Sequence, residues 1–124
     1  MKGRFLLLTA ATLLSANTIA SRAADVVEIR VYGRYFSEPA TVRVTVAVEP
    51  DQANRTLRIE ADGDRLFRSS EVNLEGLSEK RLHTLEFKNL PAGAYEVRAE
   101  VLSASEVRGM ASQEVMVMGA GREQ

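Results

Sequence analysis

No cysteine occurs anywhere in the 124 residues. That removes thiol nucleophiles, disulfide exchange, zinc–thiolate sites and blue-copper centres from consideration. Histidine is nearly as scarce. His83 is the single example, so any Ser–His–Asp arrangement has to run through it. No serine sits in a Gly-x-Ser-x-Gly elbow, so a hydrolytic site lacks its usual nucleophile setting. Tryptophan is absent too. No apolar run reaches the roughly 20 residues that a membrane-spanning helix needs.

The one apolar run of note is Phe5 to Leu14, ten residues long. Lys2 and Arg4 precede it, and Ser21-Arg22-Ala23 follows with small residues where a signal peptidase reads. This order predicts a secretory signal peptide over residues 1–23, cut after Ala23 or alternatively after Ala20. No cysteine follows the run, so an acylated cysteine anchor is excluded. The expected product is a periplasmic or secreted bacterial protein with no stable membrane anchor. Its sandwich domain covers 24–118, and a flexible tail covers 119–124.

Loss of the leader takes away Lys2, Arg4 and Arg22 and no acid, leaving 13 basic residues against 17 acidic, a charge of −4. A mildly acidic surface argues against nucleic acid as a partner and against adhesion to anionic lipid. An exported chain of about 100 residues without disulfides must hold together by burial alone, and that size suffices.

What remains reads as strands and turns. Tyr95, Val97, Ala99 and Val101 point one way while Glu96, Arg98 and Glu100 point the other, the pattern of a half-buried antiparallel strand. Val42, Val44, Val46 and Val48 repeat it with Thr41, Arg43, Thr45 and Ala47 outward. Val27–Val31, Leu57–Ala61 and Leu82–Lys88 follow suit. Asp62-Gly63-Asp64 signals a hairpin whose return strand begins at Leu66. Val72 and Leu74 read as a separate short strand, and Leu77–Leu82 has room for one helical turn. Val107–Met118 closes the sheet, with Gly109 as an expected bulge. The expectation is an all-β, immunoglobulin-like antiparallel β-sandwich of seven or eight strands with no disulfide.

The corner Leu90-Pro91-Ala92-Gly93-Ala94-Tyr95-Glu96-Val97, with Leu85-x-Phe87 before it and Val42–Val48 ending in Pro50-Asp51, resembles bacterial secreted immunoglobulin-like and fibronectin-type-III-like domains. The resemblance spans Val26 to Met118. It implies a tyrosine corner built from Leu90, Pro91, Gly93 and Tyr95, in which the Tyr95 hydroxyl bonds back to the corner backbone. The tryptophan and cysteine pair of true immunoglobulin domains are missing.

Candidate chemistry is thin. Asp62 and Asp64 flank a turn glycine and lack the six or more oxygens that calcium wants. Met110, Met116 and Met118 raise a copper site, since exported copper-binding sandwiches use methionine clusters and Met116 and Met118 share a strand face. Such sites usually add histidine, His83 is far off in sequence, and adaptable packing is the ordinary use of methionine. Asn54-Arg55-Thr56 matches a glycosylation acceptor by chance. Glu96 and Glu100 flank Arg98 on what reads as a salt-bridged surface. The best binding candidate is the cluster Tyr32, Arg34, Tyr35 and Phe36, where stacking rings surround a cation; alternatively the rings plug the edge where the chain changes sheets. Asn54 and Arg55 belong to a second candidate, a loop end formed by 51–55, 76–81 and 103–106.

These observations lead to an expected non-catalytic exported interaction or structural module binding an envelope or extracellular protein. The alternative is a module for small ligands or carbohydrate using the Tyr32–Phe36 cluster. No enzyme activity, metal or cofactor is expected.

Overall fold

The structure, a computed structural model, describes residues 26–120. The expected signal peptide, residues 1–23, lies outside the described residues, as do residues 121–124 of the expected tail.

Eight strands follow one another: β1 (Val27–Val31), β2 (Tyr35–Ser37), β3 (Ala40–Val48), β4 (Thr56–Gly63), β5 (Phe67–Asn73), β6 (Leu82–Leu90), β7 (Gly93–Leu102) and β8 (Val107–Met118). They form a three-stranded sheet in the order β1-β3-β6 and a five-stranded sheet in the order β2-β8-β7-β4-β5. The fold is an all-β, immunoglobulin-like sandwich. A 3₁₀ turn at Gly76–Ser78 precedes β6, where the sequence leaves room for one helical turn.

The alternation seen in the sequence is the reason for this shape. Val42, Val44, Val46 and Val48 of β3 face Leu57, Ile59 and Ala61 of β4 and Val97, Ala99 and Val101 of β7 within one core. All of these residues are at most 1% exposed. Each fully buried aliphatic side chain of this size contributes about 1.5–3 kcal/mol, which stands in for the absent disulfide.

Two expectations need correcting. Val72 does not start a new strand: the β4–β5 ladder runs unbroken from Asp62↔Phe67 to Thr56↔Asn73, so it belongs to the return strand. The sandwich is also not wholly antiparallel, because β2 runs parallel to β8. The three residues between β1 and β2 carry the chain from the small sheet to the large one, and Gly33 among them takes φ +117°, which glycine adopts without a Cβ penalty.

The corner forms as the resemblance implies. The Tyr95 hydroxyl donates to the Pro91 carbonyl oxygen at 2.7 Å. Asn89, before the corner, takes φ +59°, a left-handed conformation that asparagine tolerates better than most residues. Burial pushes the Tyr95 phenol above its ordinary value. The bulge falls on β8: Val101 faces Gly109 and Leu102 faces Val107, which leaves Arg108 as the extra residue.

Candidate functional site

The change of sheet at Gly33 disperses the aromatic cluster. Tyr32, 51% exposed, continues the outward parity of Glu28 and Arg30 on the three-stranded sheet. It lines a shallow cavity there with Glu28, Arg30, Thr45, Ala47 and Leu82. Tyr35, 76% exposed, stands on the outer face of the five-stranded sheet. Phe36 lies between them in sequence and points inward, packing on the core. The three rings therefore occupy three different surfaces. The edge-plugging role belongs to Phe36 alone.

Tyr35 acquires a neighbour that sequence separation concealed. In the parallel β2–β8 ladder it sits opposite Met116, and Ser37 sits opposite Met118. The Arg34 carbonyl accepts the Met116 N–H at 2.8 Å and pins this register. Since Val115 and Val117 are buried, Met116 and Met118 are forced outward. Met110, opposite the outward-facing Glu100, lies on the same face. Exposures of 50%, 38% and 49% for Met110, Met116 and Met118 are high for a residue type that is commonly buried. Arg34, Tyr35, Glu96, Glu114 and Met116 line a cavity of about 360 Å³.

The rest of that outer face is a charge network. Arg98 donates to Glu96 at 2.8 Å and to Glu60 at 2.6 Å, and stands 3.6 Å from Asp62. Arg58 bridges Glu71 at 3.3 Å and Glu100 at 3.1 Å. Hydrogen bonds to Glu60 and Glu71, respectively, raise the pKa values of Arg98 and Arg58. Glu96 lies directly across from Glu114, a like-charge pairing that weakens a sheet. The salt-bridged surface expected around Arg98 is therefore present, and it gives way to thioethers and a phenol at its β2 side.

The loop end assembles, but around a structural centre. Asn54 is 1% exposed, so the residue expected to face solvent is enclosed. Its amide donates to the Glu49 carbonyl at 3.0 Å and its oxygen accepts from Arg108 at 2.6 Å. Arg108 also reaches Asp51 at 3.3 Å. Arg55 turns onto the Gln52 carbonyl at 2.8 Å. The bulge at Arg108 aims the guanidinium into the turn, a partnership that nothing in the local sequence announces.

His83 is 4% exposed on the inner face of β6, opposite Val46. Its Nε2 has no hydrogen-bond partner, and the nearest carboxylate oxygen belongs to Glu79 at 3.9 Å. Burial holds the imidazole below its ordinary pKa against the opposing pull of Glu79. No serine or acid completes a triad with it among the hydrogen bonds of the described residues.

No protein-family model matches the sequence, and no curated protein matches it significantly. Similarity appears at the level of solved structures. The superoxide reductase (neelaredoxin) of Ignicoccus hospitalis, as its E23A variant, superposes with a TM-score of 0.58 at 17% identity, covering 82% of this chain and 86% of that one. The sulfur carrier protein SoxY from Chlorobium limicola gives 0.55 at 14% identity, covering 83% and 94%. The CARDB domain of a Pyrococcus furiosus protein, in complex with di-metal ions, gives 0.50 at 18% identity, covering 75% and 91%.

Identities this low establish a shared fold only. They nonetheless correct the expectation of a non-catalytic interaction, structural or ligand-binding module, because sandwiches of this shape include superoxide reductases. Architecture gives no ground for that reading, and it is withdrawn. Nor do the residues reproduce a metal centre made of the usual donors. Among the described residues no group of three or more His, Asp or Glu side chains is placed to hold an ion.

Proposed function

We propose that this chain is an exported β-sandwich with a redox role, in which the methionines of β8 take up oxidising equivalents. One observation carries the reading. The three methionines among the described residues, Met110, Met116 and Met118, all lie half-exposed on one outer strand face. The chain has no cysteine, so methionine supplies all of its sulfur. Methionine kept for packing would face the other way. The likeness in fold to superoxide reductases and to a sulfur carrier supports a redox setting for the fold without assigning their chemistry to this chain.

The step is a two-electron oxygen-atom transfer. With hydrogen peroxide a thioether sulfur attacks one oxygen, the S–O bond forms as the O–O bond breaks, and the other oxygen leaves as water. With hypochlorous acid the sulfur takes the chlorine and hydroxide leaves; water then displaces chloride from the chlorosulfonium, releasing two protons to solvent and giving the same sulfoxide. A thiol-driven methionine sulfoxide reductase returns the thioether and makes the cycle repeatable. Since the three side chains point to solvent, the sulfoxides stay outside the core and the fold survives. Location outside the cytoplasm is part of the proposal and rests on the Lys2–Ala23 leader pattern.

The test combines chemistry and cells. Limited hypochlorite is expected to place oxygen on Met110, Met116 and Met118 by peptide mapping, with the denaturation midpoint unchanged. A strain lacking the chain is expected to be hypochlorite-sensitive and rescued by the wild type, but not by the folded triple leucine variant. Equal rescue by both would sink the proposal.

A further inference from the structure

Met116 and Met118 are two residues apart on one strand face, so their Cα atoms lie about 6.7 Å apart. Each thioether hangs on three flexible torsions, and the two residues are 38% and 49% exposed on the outer face. Two such sulfurs can converge on one ion between them. Met110 is six residues away along β8, about 20 Å, and cannot join. Tyr35 sits directly across from Met116 with its ring 76% exposed, within reach of a cation seated at the thioether pair. The cavity they border carries Glu96 and Glu114 against Arg34, and Arg98 already engages Glu96. The local field therefore gives little general attraction for cations, and a hard divalent ion finds no donor set.

We infer that Met116 and Met118 form a binding site for one soft monovalent metal ion of the Cu(I)/Ag(I) class, with the Tyr35 ring as a cation–π cover. Thioethers select this class because soft sulfur prefers soft, low-charge ions over magnesium, calcium or zinc. An aromatic face over a partly desolvated cation adds a favourable contact that needs no further ligand. Binding is distinct from oxygen-atom uptake, because a sulfoxide is no longer a soft donor. The two chemistries compete for the same sulfurs, and a bound ion withdraws them from oxidants. His83, a borderline nitrogen donor, is enclosed in the core and takes no part.

Silver(I) nitrate in chloride-free buffer is the probe, since Ag(I) does not cycle with oxygen. Titrated into the purified full chain, it is expected to shift the Met116 and Met118 methyl resonances together and to saturate at one equivalent, leaving Met110 unmoved. Met116→Leu and Met118→Leu are each expected to weaken binding at least tenfold, and Tyr35→Leu several-fold. Met110→Leu is expected to change nothing. All four positions are on the surface, so the variants are expected to fold, and circular dichroism verifies it. Prior conversion to sulfoxide is expected to abolish the shifts. The site is overturned if no saturable shift develops, or if Met110, Met116 and Met118 respond with equal affinity as isolated thioethers would. Failure here leaves the hypochlorite-rescue result standing, and failure of that rescue leaves silver binding intact, so the two readings fall separately.

Discussion

Gly63 leaves the room that the Tyr95 ring occupies. The two residues face each other across the β4–β7 ladder, and a Cβ on Gly63 would lie 2.6 Å from Tyr95 Cε2. The ring cannot retreat without breaking its hydroxyl bond to Pro91. The hairpin signal in the sequence thus has a second purpose: its glycine admits the corner tyrosine.

Gly63→Ala is therefore expected to destabilise the fold by about 1–3 kcal/mol, the range for overpacking a filled site. In a Tyr95→Leu background the same substitution is expected to cost at least about 1 kcal/mol less, because the clashing ring has gone. Urea denaturation of the four proteins in this cycle measures the coupling. Equal costs in both backgrounds would place the strain at the Leu66 carbonyl, 3.2 Å from the added carbon.

Tyr95→Phe isolates the hydroxyl from the ring. Loss of a mostly buried hydrogen bond that leaves the Pro91 carbonyl unpaired predicts a loss of about 1–2 kcal/mol. Burial of the same phenol sets an alkaline limit. The native phenol holds its proton above the ordinary value of 10, so the unfolded chain ionises first as pH rises. Stability is full below pH 10 and declines above it. The Phe variant is expected to decline less over that range, and parallel curves would remove this account.

Asn54 and Arg108 form the polar counterpart of the corner at the other end of the sandwich. Asn54→Ala strands the Glu49 carbonyl and the inward side of the guanidinium, and is expected to cost about 2–3 kcal/mol. Arg108→Met should cost less, because that side chain stays 23% exposed and its partner Asp51 stays 41% exposed. A thermal melt of the single and double variants settles the coupling. Additive losses would show that the two residues act independently.

Residues whose neighbours are set by strand parity were legible in advance. The valines of β3, the Tyr95–Val101 face and the Arg98-centred surface need only the period of two to be placed correctly. The Tyr95 corner was legible because its partner, Pro91, is four residues away. What stayed hidden depends on long-range pairing. Tyr35 and Met116 are brought together by a three-residue strand lying parallel to β8, which carries too little pattern to be seen as a strand. Asn54 looked like a loop residue because its burial comes from Arg108, which reaches it through a bulge. The aromatic cluster dissolved for a related reason: one glycine sends neighbouring rings to opposite faces of the sandwich.

His83 sets the acid limit. In the native state it is enclosed opposite Val46, with Nε2 unpaired and the Glu79 carboxylate 3.9 Å away. Burial is the largest influence and keeps the imidazole neutral, with the nearby charge of Lys80 acting in the same direction. The attraction of Glu79 and a backbone hydrogen bond at Lys80 offset this only in part. The unfolded chain, by contrast, accepts a proton near the ordinary value of 6.5. Stability is therefore full above pH 6.5 and is lost as pH falls from there towards the lower native value. His83→Leu removes both the titration and the unpaired nitrogen, and apolar replacement of an unsatisfied polar group is close to neutral or stabilising. The variant is expected to match or exceed the wild type at pH 7.5 and to open a wider lead by pH 5.5. Urea midpoints across that range read the difference directly, and a lead that stays constant would mean that His83 does not carry the acid sensitivity.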